Sequence, residues 1–219
     1  MLAAPKRLEI DHRTMKLIVG VVAISLAALT SYFSRNALSS ISAAYYEGGW
    51  SQAIFIGFLF AISAFLLAYN GRSGTDMVMS KVASIAGLGV ALFPCRCGDH
   101  PELVPHLHGL SAVVMFLVLA YFCYGFLRRA WAKGYGQART RAVLYAACGI
   151  VIVAAIVVLA LDGATSGALS RRIPRLTFYG EAAALVAFGV SWLLASHVLP
   201  LLNRSTERYL PFRAENPAP

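Results

Sequence analysis

The chain has 219 residues, of which 58% are hydrophobic and only 13% are charged, and its mean hydropathy is +0.66. Soluble domains have about 45–50% apolar and about 25% charged residues, so this composition excludes an ordinary soluble domain and indicates a membrane protein. The formal net charge is +9. The basic residues lie in short loops beside apolar segments, where membrane topology and anionic lipid account for them without a nucleic-acid partner.

Six apolar segments predict membrane-spanning helices, each of which needs about 20 largely apolar residues. The third segment is short and rich in Gly and Ala, which predicts close packing against other helices. The sequence therefore predicts an all-α bundle of six transmembrane helices in residues 17–199, between an N-terminal arm (1–16) and a C-terminal tail (200–219). The predicted spans are Leu17–Phe33, Ala53–Tyr69, Ser80–Pro94, Gly109–Leu127, Val143–Leu161 and Phe178–Leu199.

The first apolar segment has two interpretations. Basic residues precede it and the small-residue stretch SLAALTS lies within it, as in a cleaved signal peptide. Its apolar core, however, is longer than the about 7–15 residues that are usual in a signal peptide. We therefore expect the segment to be retained as a membrane anchor.

The distribution of Lys and Arg predicts the orientation of the bundle. With the N-terminus inside, fourteen of the 19 basic residues fall in the inner segments and five in the outer loops. Cytoplasmic loops are enriched in Lys and Arg, so both termini are predicted to be cytoplasmic. The stretch SRRIPR in the fifth loop is the exception, because it holds three of the five outer arginines.

Residues with reactive or ligating side chains collect on the predicted outer side, which holds few of the basic residues. Half of the acids, three of the histidines and two of the cysteines fall there. They therefore form a candidate site on one face of the membrane. These residues are Glu47, Asp99, Glu102, Asp162, Glu181, Cys95, Cys97, His100, His106 and His108.

Glu181 lies about one turn inside the sixth predicted span. An acid within the bilayer is costly, and such residues usually face the protein interior and carry function. The alternative is a structural acid near the interface that reaches water, or that pairs with Arg175 or a histidine. Both interpretations stay open at this point.

The loop FPCRCGDHPELVPHLHG, residues 93–109, concentrates potential metal ligands. Thiolate and imidazole are the ligands that zinc prefers, so a zinc site is one interpretation. A strained disulfide between Cys95 and Cys97 is the second interpretation, and a plain polar loop is the third. The candidate ligands are Cys95, Cys97, His100, His106 and His108.

Two other cofactors are disfavoured. No span interior holds a histidine for bis-histidine haem, and no span holds a central lysine for a retinal Schiff base. The first outer loop, SRNALSSISAAYYEGGW, combines serines and Glu47 with Tyr and Trp. Its aromatic residues are typical of an interface belt, while serine and glutamate beside the histidines offer a second role in orienting water or binding a headgroup.

Several stretches resemble a family of bacterial multi-spanning membrane proteins of unassigned activity. They are SISAAYYEGG, IFIGFLFAISAFLLAYNG, AGLGVALFP, AYFCYGF and EAAALVAFGVSWL, within residues 39–194. The resemblance implies a six-helix fold in a bacterial inner membrane. A more distant likeness, to the membrane hydrolases that include alkaline ceramidases and progestin/adiponectin receptors, implies serine, acid and histidine around zinc near one membrane face.

Three functions fit these residues. The first is a non-catalytic membrane protein that binds a lipid headgroup or another membrane protein through its outer loops. The second is a zinc-dependent hydrolase of lipid amides or esters, in which Glu181 or Glu47 is the general base for the metal-bound water. The third is a small transporter with Glu181 as its proton or ion site, although no internal repeat of the kind that transporters usually show is visible.

Overall fold

The computed structural model of the chain describes residues 11–98 and 100–211, which form seven α-helices and no strand. All of these helices except the four-residue α2 are long and apolar enough to cross a membrane. The predicted class, an all-α protein with six transmembrane helices, is therefore confirmed. The helices are α1 (His12–Phe33), α2 (Ala44–Glu47), α3 (Gly49–Ala68), α4 (Gly74–Leu92), α5 (Leu107–Trp131), α6 (Gly136–Ala164) and α7 (Leu176–Ser196).

Every long helix begins earlier than its predicted span, because polar residues continue the helix beyond the apolar core. The largest difference is in α6, which begins at Gly136 rather than Val143. Side-chain caps fix two of these starts: Asp11 accepts the backbone N–H of Arg13, and Ser73 accepts that of Asp76. The predicted N-terminal arm and C-terminal tail lie partly outside the described residues.

The six long helices pack against one another in chain order, and α1 packs against α7, so the bundle closes into a ring. Two glycines permit this closure. A Cβ on Gly189 would lie 2.7 Å from the carbonyl oxygen of Gly20, and a Cβ on Gly20 would lie 2.8 Å from that of Gly189. The two backbones therefore touch directly, as small residues allow in membrane helices.

The Gly- and Ala-rich helix α4 also uses its glycines at helix contacts. A Cβ on Gly87 would clash with the hydroxyl of Ser63 in α3, and a Cβ on Gly89 would clash with the hydroxyl of Ser111 in α5. The small residues of α4 therefore let it approach both neighbouring helices closely.

The bundle has two distinct ends, because successive long helices run in opposite directions. At the tail end, α1 begins, α7 ends, and two 3₁₀ helices (Pro200–Leu202 and Ser205–Glu207) follow. At the cap end lie α2 and the loops that precede α5 and α7. The acids, cysteines and histidines predicted for the outer side all lie at the cap end, apart from Asp99, which lies outside the described residues.

The described part of the C-terminal tail folds back on the tail end and is held there by Arg141, whose side chain is 1% exposed. Its guanidinium donates to the carbonyl oxygen of Leu202 at 2.6 Å, to the side-chain oxygen of Asn203 and to Glu207 Oε2 at 3.2 Å. Lys133 donates to Glu207 Oε1 at 2.6 Å. The guanidinium of Arg141 therefore holds the tail against α6, because it donates hydrogen bonds to three residues of the tail.

Two titratable groups of the tail region have shifted pKa values. Desolvation alone raises the pKa of Glu207, but hydrogen bonds from Lys133, Tyr135 and Arg141 outweigh it and lower that pKa to about 2. Burial lowers the pKa of His197 to about 4, so its ring is neutral near pH 7. Near pH 7 the docked tail therefore contains an ionised Glu207 and an uncharged His197.

Candidate functional site

A cavity of about 460 Å³ lies at the cap end between α5, α6 and α7, and we call it the cap cavity. Its long walls are apolar and come from residues such as Val113 and Phe116 of α5 and Ile156 and Leu159 of α6. The polar groups of its lining lie toward the loops of the cap end. They come from Ser40, Ser42, Cys95, Arg96, Cys97, Glu102, His108, Thr177 and Glu181.

Three side chains from distant parts of the sequence meet at this cavity. Ser42 Oγ lies 3.0 Å from His108 Nε2 and 3.2 Å from Glu181 Oε1. Ser42 belongs to the loop between α1 and α2, while His108 lies in the first turn of α5 and Glu181 in the second turn of α7. The bundle thus brings a hydroxyl, an imidazole and a carboxyl group into one hydrogen-bonded cluster.

The ring of His108 is buried and its orientation is fixed from behind. His108 Nδ1 lies 2.7 Å from the carbonyl oxygen of Phe93, which can only accept a hydrogen bond. Nδ1 therefore carries a proton, and in the neutral ring Nε2 is free to accept one from Ser42. This is the tautomer in which an imidazole can act as a base toward a serine hydroxyl.

Glu181 anchors the loop that carries Ser42. Its Oε2 accepts the backbone N–H of Ile41 at 2.6 Å and that of Ser42 at 3.4 Å. Arg175 is engaged elsewhere, because its Nε donates to the carbonyl oxygen of Leu38 at 2.8 Å. The acid in the sixth span therefore serves backbone amides and a hydroxyl, rather than the arginine that sequence analysis offered as an alternative partner.

Two proton arrangements satisfy these contacts. In one, a protonated Glu181 donates to Ser42 Oγ, and Ser42 donates to a neutral His108. In the other, an ionised Glu181 accepts from Ser42, and a doubly protonated His108 donates to Ser42 Oγ. Both arrangements contain the same number of protons and have no net charge, so they interconvert by proton shifts through the Ser42 hydroxyl. The contacts therefore permit a proton to pass between Glu181 and His108 through Ser42.

The other two predicted histidines lie apart from this cluster. His106 is exposed and precedes α5 in a left-handed conformation (φ 62°), and its backbone N–H donates to Glu102 at 2.7 Å. His108 is buried, so the two rings lie in different surroundings. His100 is exposed and stacks on Tyr46, with the ring centroids 4.0 Å apart.

Cys95 and Cys97 form a disulfide, which was one of the three interpretations of this loop. Their sulfurs are therefore not thiolate ligands in this state. Ser40 Oγ lies 3.4 Å from Cys97 Sγ, and the Tyr46 hydroxyl donates to the carbonyl oxygen of Cys95 at 3.0 Å. The disulfide loop thus contacts both the loop that carries Ser40 and the short helix α2. Both cysteines also line the cap cavity.

In residues 11–98 and 100–211, no three His, Cys, Asp or Glu side chains are placed to share a metal ion. Zinc binding by His100, His106 and His108 with the cysteines therefore stays a prediction. Glu47, the alternative general base, accepts the backbone N–H of Arg35 at 3.3 Å and does not line the cap cavity.

Ser42 is the site residue that sequence analysis did not single out. It is one of several serines in the stretch ALSSISAA, and no local pattern separates it from Ser39 or Ser40. Only the position of His108 and Glu181 on neighbouring helices identifies it.

The length and apolar composition of six helices make this chain a multi-pass, all-α membrane protein. No known protein family, curated protein or solved structure matches it.

Proposed function

We propose that the protein binds a single-chain amphiphile, such as a fatty acid or a lysolipid, in the cap cavity. The observation that carries this proposal is the cavity itself, whose long apolar walls lead to one polar end at Ser42, His108 and Glu181. Small-molecule sites typically combine an apolar lining with a few well-placed polar groups.

The polar end is the part that gives selectivity. Lipid tails are as apolar as the helices, so an apolar groove gains little by taking up a chain from the bilayer. A cluster that exchanges protons and hydrogen bonds can instead distinguish one polar head from another, because a mismatched head leaves buried polar groups unpaired. The helical wall from His108 to Phe116 is roughly 12 Å long at about 1.5 Å per residue, enough for a medium-length acyl chain.

In this proposal the protein lies in a bacterial inner membrane with both termini in the cytoplasm. The support is the excess of basic residues at the tail end, where the positive-inside rule expects them. The cap cavity then faces the outer leaflet, and its occupant is a lipid of that leaflet. A second membrane protein that delivers or receives this lipid is the partner that the cap loops would contact.

Filling the cavity tests the binding proposal. Ala160 is exposed and lines the cap cavity. The larger side chain of Ala160→Trp therefore occupies part of the cavity without entering the packed interior of the bundle. We expect this variant to lower labelling by a photoreactive fatty acid in vesicles by about tenfold, the effect of about 1.4 kcal/mol in affinity. Labelled peptides are identified by mass spectrometry and should include residues 155–163.

The matched control is Ala147→Trp, on an exposed face of the same helix outside the cap cavity. It should label like the unmodified protein. Equal labelling of Ala160→Trp, or labelled peptides only from other helices, would contradict binding in this cavity.

A second candidate function is hydrolysis of a lipid ester, and the Ser42–His108 pair favours it specifically. In that reaction Ser42 Oγ attacks the ester carbonyl carbon while its proton passes to His108 Nε2. The alcohol leaves with this proton, and a water molecule then cleaves the acyl-serine, releasing the fatty acid and restoring the serine hydroxyl. Glu181 acts as a positioning residue, since it holds the backbone amides of Ile41 and Ser42.

A fluorophosphonate probe, which reacts with activated serines, tests this second candidate. We expect labelling of the unmodified protein, complete loss in Ser42→Ala, and a loss of about 10²–10⁴ in rate in His108→Ala, where the base is removed. Ser39→Ala, at an exposed serine of the same loop, is the control and should label normally. If the unmodified protein does not react with the probe, or if the Ser42→Ala variant does, hydrolysis through Ser42 is contradicted. The binding function is then the one that remains.

A further inference from the structure

A second, smaller cavity lies at the opposite end of the bundle, among the first turns of α1 and α6 and the last turns of α5 and α7. Its volume is about 50 Å³, and we call it the tail cavity. None of the described residues that line it is acidic. Five of its lining residues are basic: Lys16, Arg72, Arg129, Lys133 and Arg141.

Nearby carboxylates neutralise only part of this charge. Asp76 accepts from Arg129 at 3.2 Å. Glu207 accepts from Lys133 at 2.6 Å and from Arg141 at 3.2 Å. Among the residues that the structure describes, two carboxylates thus serve three of the five cations, which leaves an excess of positive charge around the cavity.

Lys16 and Arg72 carry this excess. The Lys16 ammonium lies over the rings of Tyr69 and Phe126, 5.4 and 5.5 Å from their centroids. Among the described residues, no oxygen accepts a hydrogen bond from the side chain of Lys16 or of Arg72. Asp11, which caps α1 by accepting the N–H of Arg13, does not line the cavity.

We propose that the tail cavity is a binding site for a phosphate-class anion, carried either by a lipid headgroup or by a free phosphate compound. Like charges gathered in a partly desolvated cleft repel one another, and a multivalent anion removes this repulsion. Guanidinium groups donate in the forked geometry that phosphate oxygens accept, and lysine supplies a point charge. Basic pockets between membrane helices hold phosphorylated headgroups in this way.

The size of the tail cavity matches a phosphate group. A water molecule requires roughly 10–15 Å³ measured in the same manner, so about 50 Å³ holds only a few waters. The aromatic rings of Tyr69 and Tyr145 close the inner side, so an acyl chain has no room there. A headgroup would enter from the membrane surface and leave its chains in the bilayer, and a free phosphate compound would enter from water.

The test uses the full-length protein in a phosphate-free, non-ionic detergent, with thermal unfolding and isothermal titration as readouts. The first arm titrates inorganic phosphate, with chloride at equal ionic strength as the comparison. The second arm uses nanodiscs of zwitterionic lipid with and without phosphatidate. The variants are Lys16→Gln and Arg72→Gln, and the control is Arg139→Gln, which removes an exposed charge outside the tail cavity.

We expect a saturable rise in the unfolding temperature with phosphate, weakened by at least about tenfold in both cavity variants and unchanged in the control. Without phosphate or phosphatidate, the cavity variants should unfold at higher temperature than the unmodified protein, because each variant removes one of the positive charges that repel one another around the cavity. Arg72 is exposed at the rim, so its variant keeps the fold even if Lys16→Gln does not. A response to phosphatidate alone assigns the site to a headgroup. Equal responses to phosphate and chloride together with no response to phosphatidate, or no difference between cavity and control variants in either arm, overturn the proposal.

Discussion

Gly189→Ala is expected to separate α1 from α7 and to destabilise the bundle by about 1–3 kcal/mol, the usual cost of overpacking. The new methyl group would lie 2.7 Å from the carbonyl oxygen of Gly20 and 2.6 Å from a side-chain carbon of Ile24. One of these neighbours is backbone, so no rotamer change relieves the clash. Thermal unfolding in detergent measures the effect.

Two comparisons make this test specific. Gly57→Ala places the same methyl group on α3, where nothing lies within 4 Å, and should stabilise the helix by about 0.5–1 kcal/mol. Gly20→Ala should cost about as much as Gly189→Ala, but the double variant should cost less than the sum, since the first methyl already separates the helices. Simple additivity would mean that the two glycines do not share one contact.

Arg141→Met is expected to release the C-terminal tail and to cost about 3 kcal/mol, the low end of the range for breaking a buried ion pair. The low end applies because Glu207 is partly exposed and keeps its bond from Lys133. The change leaves the acceptors of Leu202 and Asn203 without their buried donor. Trypsin cleavage within the tail, measured by mass spectrometry in detergent, reports the release.

Arg139→Met, at an exposed position on the same helix, controls for lost charge and should leave the tail resistant to trypsin. Acid provides a second readout. The pKa of Glu207 is lowered from 4.5 to about 2, so its contribution is present above pH 4.5 and is lost as the pH falls toward 2. The pKa of His197 is lowered from 6.5 to about 4, so its contribution is lost between these values. Release in the variant should therefore begin at higher pH than in the unmodified protein.

The six long helices could be predicted because a membrane leaves few alternatives to a helix of sufficient length. Backbone groups in hydrocarbon must pair within the segment, so apolar length alone identifies a span. The helix starts could not be predicted equally well, since polar turns such as Gly136–Ala142 carry no hydropathy signal. The short helix α2, with the sequence AYYE, is too brief for any periodicity to indicate it.

The candidate site was partly predictable for a related reason. Topology alone places Glu181 and His108 at the same end of the bundle, because both begin helices that run in the same direction. The contact with Ser42 depends on the path of an irregular loop, which the sequence does not specify. His106 lies apart from the cluster because its backbone adopts a left-handed turn before α5, and local composition gave no sign of that turn.

The tail cavity shows the same limit. The sequence explains its arginines and lysines individually through the predicted membrane orientation, as residues of separate segments that are predicted to be cytoplasmic. Their convergence depends on which helices are neighbours in three dimensions. Lys16 of α1 and Arg141 of α6 line the same cavity because α1 and α6 both pack against α7.

That packing has a consequence for how the protein is made. A ribosome delivers α1 to the membrane before α7, so the face of α1 around Gly20 lacks its partner until α7 has been made. During this interval the face is open to lipid or to a helix of another newly made chain. A chain that stops before α7 would keep this face of α1 exposed to lipid permanently.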